Sequence, residues 1–138
     1  GSGKTSFAYL FDAAVFSADD YFTDPETNEY NFDGSKLSQA HDQCRVNTHD
    51  ALRAGQPIVC VANTFSQRWE MQPYFNMLET LALDHVRLFV VDLFDGGLSN
   101  EQLAERNSHG VPLFQVRKMR GRWEHDHRVG NPAPPWER

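Results

Sequence analysis

The chain opens on Gly1-Ser2-Gly3-Lys4-Thr5, which matches the second half of the phosphate-binding loop consensus G-x-x-x-x-G-K-[ST]. In such a loop the glycines let backbone N–H groups close around phosphate, the lysine neutralises the outer phosphates, and the following hydroxyl ligates magnesium. The first glycine of the consensus and the strand before it are absent ahead of Gly1. A leading Gly-Ser is also what a cloning scar leaves, so the motif alone does not decide the function.

Composition is that of one compact globular domain. The 138 residues are 40% hydrophobic and 23% charged, and a domain of this length folds without disulfides or a metal. The net charge of −6 excludes a strongly basic nucleic-acid coat protein. Cys44 and Cys60 lack C-x-x-C spacing, which argues against a zinc ribbon or a disulfide framework. Without a signal pattern or a long apolar run, we expect a soluble cytoplasmic protein with no membrane partner.

Charge is distributed unevenly along the chain. Residues 12–33 contain seven acids and no base, whereas from Arg106 onward basic residues predominate. Two solvated faces of opposite charge would explain this distribution. The sharper interpretation is a basic lid that handles phosphate.

Hydrophobic patterning predicts strands and helices in alternation. Continuous apolar runs of strand length indicate buried parallel strands, and polar, periodic stretches indicate helices. The predicted strands are 15–17, 58–62 and 86–93. A first short helix is predicted to begin at Lys4, and four further helices are predicted at 35–52, 67–83, 99–106 and 112–121. Ser35 is the predicted N-cap of the helix at 35–52, and Ser99 that of the helix at 99–106. The turn-rich stretch 24–34 is expected to be a loop. This order predicts an α/β domain over 1–124, followed by a Pro-rich C-terminal tail at 125–138.

Three downstream segments strengthen the interpretation of the opening motif. They are SADDYF at 17–22, VANT at 61–64 and ERNSHGVP at 105–112. With Gly1 to Thr5, and with WEMQPY at 69–74, their order and spacing resemble the polynucleotide-kinase-like P-loop family. The resemblance implies a three-layer P-loop NTPase fold of nucleotide-kinase type, with a mainly parallel sheet whose first strand is missing from the chain.

The same resemblance implies an activity and a set of residues. The activity is magnesium-dependent transfer of the ATP γ-phosphoryl group to a hydroxyl, with a polynucleotide or nucleotide 5′-hydroxyl as the leading acceptor. Asp19 matches the base that accepts the proton of that hydroxyl, and Arg106 matches the lid arginine that bridges the donor phosphates. Lys4 matches the phosphate-loop lysine and Thr5 the magnesium ligand. The residues implied to bind ATP are Gly1, Ser2, Gly3, Lys4, Thr5 and Ser6.

Two positions depart from the family pattern. That family includes a phage polynucleotide 5′-hydroxyl kinase and a subgroup of ATPases. The ATPases usually carry an acid where this chain has Ala62, and the phage kinase has an arginine where this chain has Phe22, although Phe22 matches the ATPase subgroup. These departures keep two alternatives open. One is a zeta-toxin-like kinase acting on a small sugar nucleotide, and the other is a degenerate, non-catalytic binding or scaffold module.

Simpler structural roles compete with the functional ones. Asp19 and Asp20 could form a helix N-cap pair, and Arg106 could pair with Glu101 or Glu105 on a helix surface. We interpret Asp92 as a strand-end residue.

Aromatic and histidine residues near the other motifs also have structural explanations. Trp69, Tyr74 and Phe75 have helical spacing, which favours core packing over a base-stacking platform. His125-Asp126-His127 is a poor metal site because no third ligand lies nearby in the sequence.

Overall fold

The computed structural model describes residues 1–125. The chain divides into two compact units, one formed by Lys4–Thr64 and the other by Gly1–Gly3 together with the chain from Phe65 onward. Except for His125, the predicted Pro-rich tail lies outside the described residues. Among the residues described, no helix combines the length and the apolarity that crossing a bilayer requires.

The Lys4–Thr64 unit is built on a two-stranded parallel sheet. Strand β1 (Ala14–Phe16) pairs in parallel with β2 (Val59–Val61). Backbone bonds from Ala14 N to the Ile58 oxygen, 3.0 Å, and from Ala62 N to the Phe16 oxygen, 2.8 Å, extend the pairing at both ends. Helix α1 (Lys4–Ala8) precedes β1, and helix α2 (Leu37–Arg53) connects the two strands.

Helix α2 buries one face through residues four positions apart. Ala40, Cys44 and Thr48 are 0%, 2% and 4% exposed, the spacing that brings side chains onto one side of an α-helix. This helix packs against both strands and against the 3₁₀ turn Ala18–Phe22. The core of the unit therefore lies beside the residues that follow β1.

The start of α2 differs from the prediction. Ser35 was expected as its N-cap, but a 3₁₀ turn, Gly34–Lys36, precedes the helix and Asp33 caps that turn. Asp33 Oδ1 accepts from the Ser35 amide at 3.0 Å and from the Ser35 hydroxyl at 2.6 Å. Asp and Ser are both good cap residues, and here the carboxylate accepts while the serine donates.

The other unit is mainly helical. A 3₁₀ turn, Arg68–Met71, leads into α3 (Gln72–Thr80), and α4 (Asn100–Glu105) packs against α5 (Leu113–Gly121). Ser99 caps α4, as predicted, by accepting from the Gln102 amide at 3.2 Å. The last helix also lies where it was predicted, with Pro112 as its N-cap.

The prediction of a buried strand at 86–93 is wrong. Within residues 1–125 the sheet has two strands, β1 and β2, and 86–93 joins no ladder. Phe89 is 67% and Val91 52% exposed. A strand requires a neighbouring backbone to satisfy its N–H and C=O groups, and continuous apolarity does not supply that neighbour.

The expectation that Trp69 belongs to a core is also wrong, because Trp69 is 67% exposed whereas Met71 is buried. The reason is local geometry: residues 68–71 form a 3₁₀ turn, so the spacing expected of an α-helix does not apply there. Tyr74, within α3, does pack, with its ring edge-on to Phe65 at 5.6 Å between centroids.

Phe22 tests where the core of the Lys4–Thr64 unit lies. Phe22→Ala should lower the free energy of unfolding by about 3–5 kcal/mol, because it removes a buried ring and leaves a cavity. Urea unfolding followed by far-UV circular dichroism measures the loss. Phe114→Ala is the matched control, since Phe114 is 66% exposed and should change stability by no more than about 0.5 kcal/mol. Equal effects of the two substitutions would contradict this assignment of the core.

Candidate functional site

Lys4 is the first residue of α1 and follows Gly3 directly. Gly3 has a φ of +92°, a conformation that glycine adopts at no steric cost. Burial lowers the pKa of the Lys4 ammonium group, and the negative charge of Asp19 acts in the opposite direction. The Lys4 ammonium and the Asp19 carboxylate therefore lie within electrostatic reach of each other in this unit.

Two adjacent acids in the turn after β1, Asp19 and Asp20, have different hydrogen-bonding roles. Ser17 caps the 3₁₀ turn Ala18–Phe22, and its hydroxyl accepts from the Asp19 amide at 3.2 Å. Asp20 completes the capping box, because its Oδ2 accepts from the Ser17 amide at 2.7 Å. The cap-pair role considered for both acids thus applies to the side chain of Asp20, while Asp19 contributes its backbone.

The Asp19 side chain binds a residue from beyond its own turn. Tyr30 donates its phenolic O–H to Asp19 Oδ1 at 2.9 Å. Burial and this hydrogen bond to the carboxylate raise the pKa of Tyr30 above its ordinary value, so Tyr30 stays protonated and donates at neutral pH. The Asp19 backbone oxygen also accepts from the Thr23 hydroxyl at 3.1 Å.

Asn63 attaches this turn to the end of β2. Its Oδ1 accepts from the Ala18 amide at 2.7 Å and from the Ser17 hydroxyl at 3.4 Å. Its Nδ2 donates to Cys44 Sγ in α2 at 3.5 Å. Asn63 is 7% exposed, so one buried carboxamide connects the turn, the strand end and the helix.

Phe22 and Ala62, the two departures from the family pattern, occupy structural positions. Phe22 is 6% exposed and belongs to the core with Ala18 and Ala40. An arginine at this position would bury an unpaired charge, which is costly. Ala62 is half-buried and directly precedes Asn63.

The remaining predicted site residues lie in the other unit or face solvent. Gly1, Ser2 and Gly3 belong to the other unit, where a Cβ on Gly1 would stand 2.3 Å from the Leu103 oxygen, so only glycine fits. Thr5 and Ser6 are exposed in the first turn of α1.

Arg106 is exposed at the C-cap of α4, in the unit that contains Gly1. Of the two acids that could pair with Arg106, Glu101 accepts from Arg117 at 2.8 Å. The lid role of Arg106 stays a prediction.

Asp92 accepts several donors in the same unit. His125 Nδ1 lies 2.6 Å from Asp92 Oδ2, and Trp123 Nε1 donates to the same oxygen at 3.4 Å. The Phe94 amide donates to Asp92 Oδ1 at 3.0 Å. Of the segment considered as a metal site, His125 therefore faces Asp92, while Asp126 and His127 lie outside the described residues. Residues 1–125 contain no cluster of three His, Cys, Asp or Glu side chains arranged for a metal ion.

Comparison with known proteins finds distant relatives, among them a human protein. NEDD4-binding protein 2 from Homo sapiens is 28% identical over 128 residues, which cover 86% of this chain. The match spans 7% of the length of that human protein. No protein-family model matches the chain.

Two residues of this site were not assigned their roles from sequence. Asn63 was seen only as part of a strand-end motif, and Tyr30 was not singled out. Tyr30 carried one signal, since it alternates with Phe32 as an aromatic residue in an otherwise polar, turn-rich stretch. Such a residue in a loop needs something to pack against, which here is Phe22.

Asn63 offers a direct test of the attachment. Asn63→Ala should lower the free energy of unfolding by about 1–3 kcal/mol, because the buried Ala18 amide loses its acceptor. Hydrogen exchange should show lost protection at Ala18. Asn47→Ala is the control, since the Asn47 Oδ1 accepts from Gln43 on the surface of α2 at 2.9 Å. An Ala18 amide that stays protected in Asn63→Ala would refute this role.

Proposed function

We propose that this chain binds Mg·ATP and transfers its γ-phosphoryl group to a hydroxyl acceptor, with a polynucleotide or nucleotide 5′-hydroxyl as the leading candidate. In this reaction the acceptor oxygen forms a bond to the γ-phosphorus as its proton passes to Asp19. The bond between the γ-phosphorus and the bridging oxygen breaks, and ADP leaves. Positioning and electrostatics do most of the catalytic work in phosphoryl transfer.

The observation that supports the proposal is the setting of Lys4: it directly follows Gly3, whose φ is +92°, it is half-buried, and the negative charge of Asp19 acts on its pKa. A lysine that follows a glycine turn supplies positive charge for phosphate, and a nearby carboxylate supplies a proton acceptor. The two residues are 15 positions apart in the sequence and belong to the same unit, Lys4–Thr64. Neither residue type by itself would indicate phosphoryl transfer.

Asp19 is a better candidate than Asp20 for the base. The Asp20 carboxylate accepts the Ser17 amide in the capping box, a role that Asp, Asn, Glu and Gln fill in many turns. Asp19 instead stands on a turn held by Asn63 and orients its side chain through Tyr30. Candidate bases need this kind of fixed geometry before their acidity matters.

The hydroxyl of Thr5 is chemically suited to the proposed magnesium site. Its hydroxyl is exposed in the first turn of α1, and Mg²⁺ prefers oxygen ligands while retaining several waters. When bound, magnesium would neutralise charge on the phosphates. The resemblance further implies phosphate contacts from Arg106, whose guanidinium is planar and permanently charged, and from the loop residues Gly1, Ser2, Gly3 and Ser6.

Two alternatives have their own support. The Gly-Ser-Gly-Lys-Thr opening also suits a zeta-toxin-like kinase that acts on a sugar nucleotide. A non-catalytic binding module is favoured by Ala62, which stands where an acid is usual, and by the name of the human relative, which describes it as binding NEDD4. Offering labelled ATP with a 5′-hydroxyl oligonucleotide, a free nucleoside and a sugar nucleotide separates the two kinases.

Lys4 tests nucleotide binding. Mg·ATP at 100 times its dissociation constant should stabilise the wild-type chain by about 2.7 kcal/mol, visible as an upward shift of Tm. Lys4→Ala should lose most of this shift because the phosphates lose their cation. The control is Lys36→Ala, which removes an exposed lysine of the same unit that pairs with Asp33 at 3.8 Å. If the wild-type chain shows neither a calorimetric heat of binding nor a Tm shift with Mg·ATP, the binding-module alternative is favoured.

Asp19 tests the chemical step. Asp19→Asn should lower kcat by about 10²–10⁴-fold, since the isosteric amide cannot take the proton, and should leave the Mg·ATP-induced shift in Tm intact. Rates are measured as transfer of labelled phosphate to the acceptor that the wild-type chain uses. Asp12→Asn is the matched control because it removes one charge from an exposed position of the same acidic stretch. An unchanged kcat in Asp19→Asn would exclude Asp19 as the base.

A further inference from the structure

We propose that Tyr30 is a positioning residue for the reaction, and that its hydroxyl holds the Asp19 carboxylate in the orientation in which it receives the acceptor proton. This inference rests on the proposed function and extends it to a residue that takes no part in the proton transfer itself. Its basis is the contact between Tyr30 and Asp19 Oδ1 at 2.9 Å.

The Asp19 side chain needs such a partner. The χ2 torsion of aspartate is broad, so packing alone does not fix the carboxylate plane. A phenolic O–H to a carboxylate oxygen is a charge-assisted hydrogen bond, which is stronger and more directional than a neutral one. Because the pKa of Tyr30 is raised, the phenol does not compete with Asp19 for a proton at neutral pH.

Tyr30 is itself held in place at the end of the stretch that follows Thr23. Its backbone forms an antiparallel bridge with Thr23, and the Asn31 amide donates to the Phe22 oxygen at 2.8 Å. The Tyr30 ring packs edge-on against Phe22, with 6.2 Å between centroids. The phenol therefore reaches Asp19 from a loop that is fastened to the same turn and core as Asp19.

The neighbouring acids have a different kind of partner. Asp24 Oδ1 accepts from the amides of Glu26 and Thr27, and Asp33 Oδ1 accepts from the amide of Ser35. These are local turn-capping bonds of the kind that acids form throughout proteins. The Asp19 carboxylate accepts from a side chain 11 residues away, an arrangement that a turn does not require and that an oriented base does.

Tyr30→Phe removes the hydroxyl and keeps the ring that packs on Phe22. We expect kcat to fall about 10- to 100-fold, the scale of a small misplacement of a catalytic group, with KM for ATP and the Mg·ATP-induced shift in Tm unchanged. Tyr21→Phe is the matched control, because it deletes the hydroxyl of a tyrosine in the same turn as Asp19, which donates to Gln39 Oε1 at 3.3 Å. Its kcat should stay within about twofold of the wild-type value, as expected for a surface substitution.

The double variant Asp19→Asn, Tyr30→Phe then separates positioning through Asp19 from any other effect. If Tyr30 acts through Asp19, adding Tyr30→Phe to Asp19→Asn should cause no further loss of rate. Additive losses, or equal rates for Tyr30→Phe and Tyr21→Phe in an active chain, would overturn the inference and leave the proposed function standing. A wild-type chain that neither transfers phosphate to any of the three acceptors nor shifts its Tm with Mg·ATP would overturn both.

Discussion

The geometry of the Lys4–Thr64 unit depends on the buried side-chain amide of Asn63. A strand end, a capped turn and a helix meet where backbone groups have left the sheet ladder, and unsatisfied groups there would be costly. Asn63 supplies an acceptor to the turn and a donor to Cys44 with one side chain. Asparagine is suited to this because its two termini have opposite hydrogen-bonding roles. The position of Asp19 is therefore set at the end of β2 as much as at the end of β1.

Much of this unit could be predicted from sequence because its signals are local. Apolar runs of strand length separated by a long amphipathic helix predict β1, α2 and β2, and the Ser-Ala-Asp-Asp run marks the turn after β1. The sequence could not show which of Asp19 and Asp20 caps the turn with its carboxylate, since either of two adjacent acids can take that role. Their difference arises from Asn63 and Tyr30, which lie far along the chain and meet the turn only in the folded unit.

The two failures in the other unit have different physical origins. The stretch 86–93 has the composition of a buried strand, but a strand is defined by its neighbour, and composition contains no information about a neighbour. Trp69 was assigned by α-helical spacing, whereas a 3₁₀ turn redirects the side chains and buries Met71. Ser99 was predicted correctly because a cap depends on residues three positions apart.

The acidity of residues 12–33 also has an explanation that does not involve a ligand. Hydrogen bonds from Thr27 and Glu26 amides lower the pKa of Asp24, and the Ser35 hydroxyl and amide lower the pKa of Asp33. A lowered pKa means that the ionised carboxylate favours the folded loop, a contribution that is present above the ordinary pKa of aspartate and is lost as the pH falls through the lowered value. Asp24 and Asp33 thus stabilise turns of this loop. The charge of the segment is consequently weak evidence about a ligand. The half-buried Lys4, whose pKa burial lowers and the Asp19 charge raises, is the feature on which the proposed function rests, because a partly desolvated cation gains most from an anionic ligand.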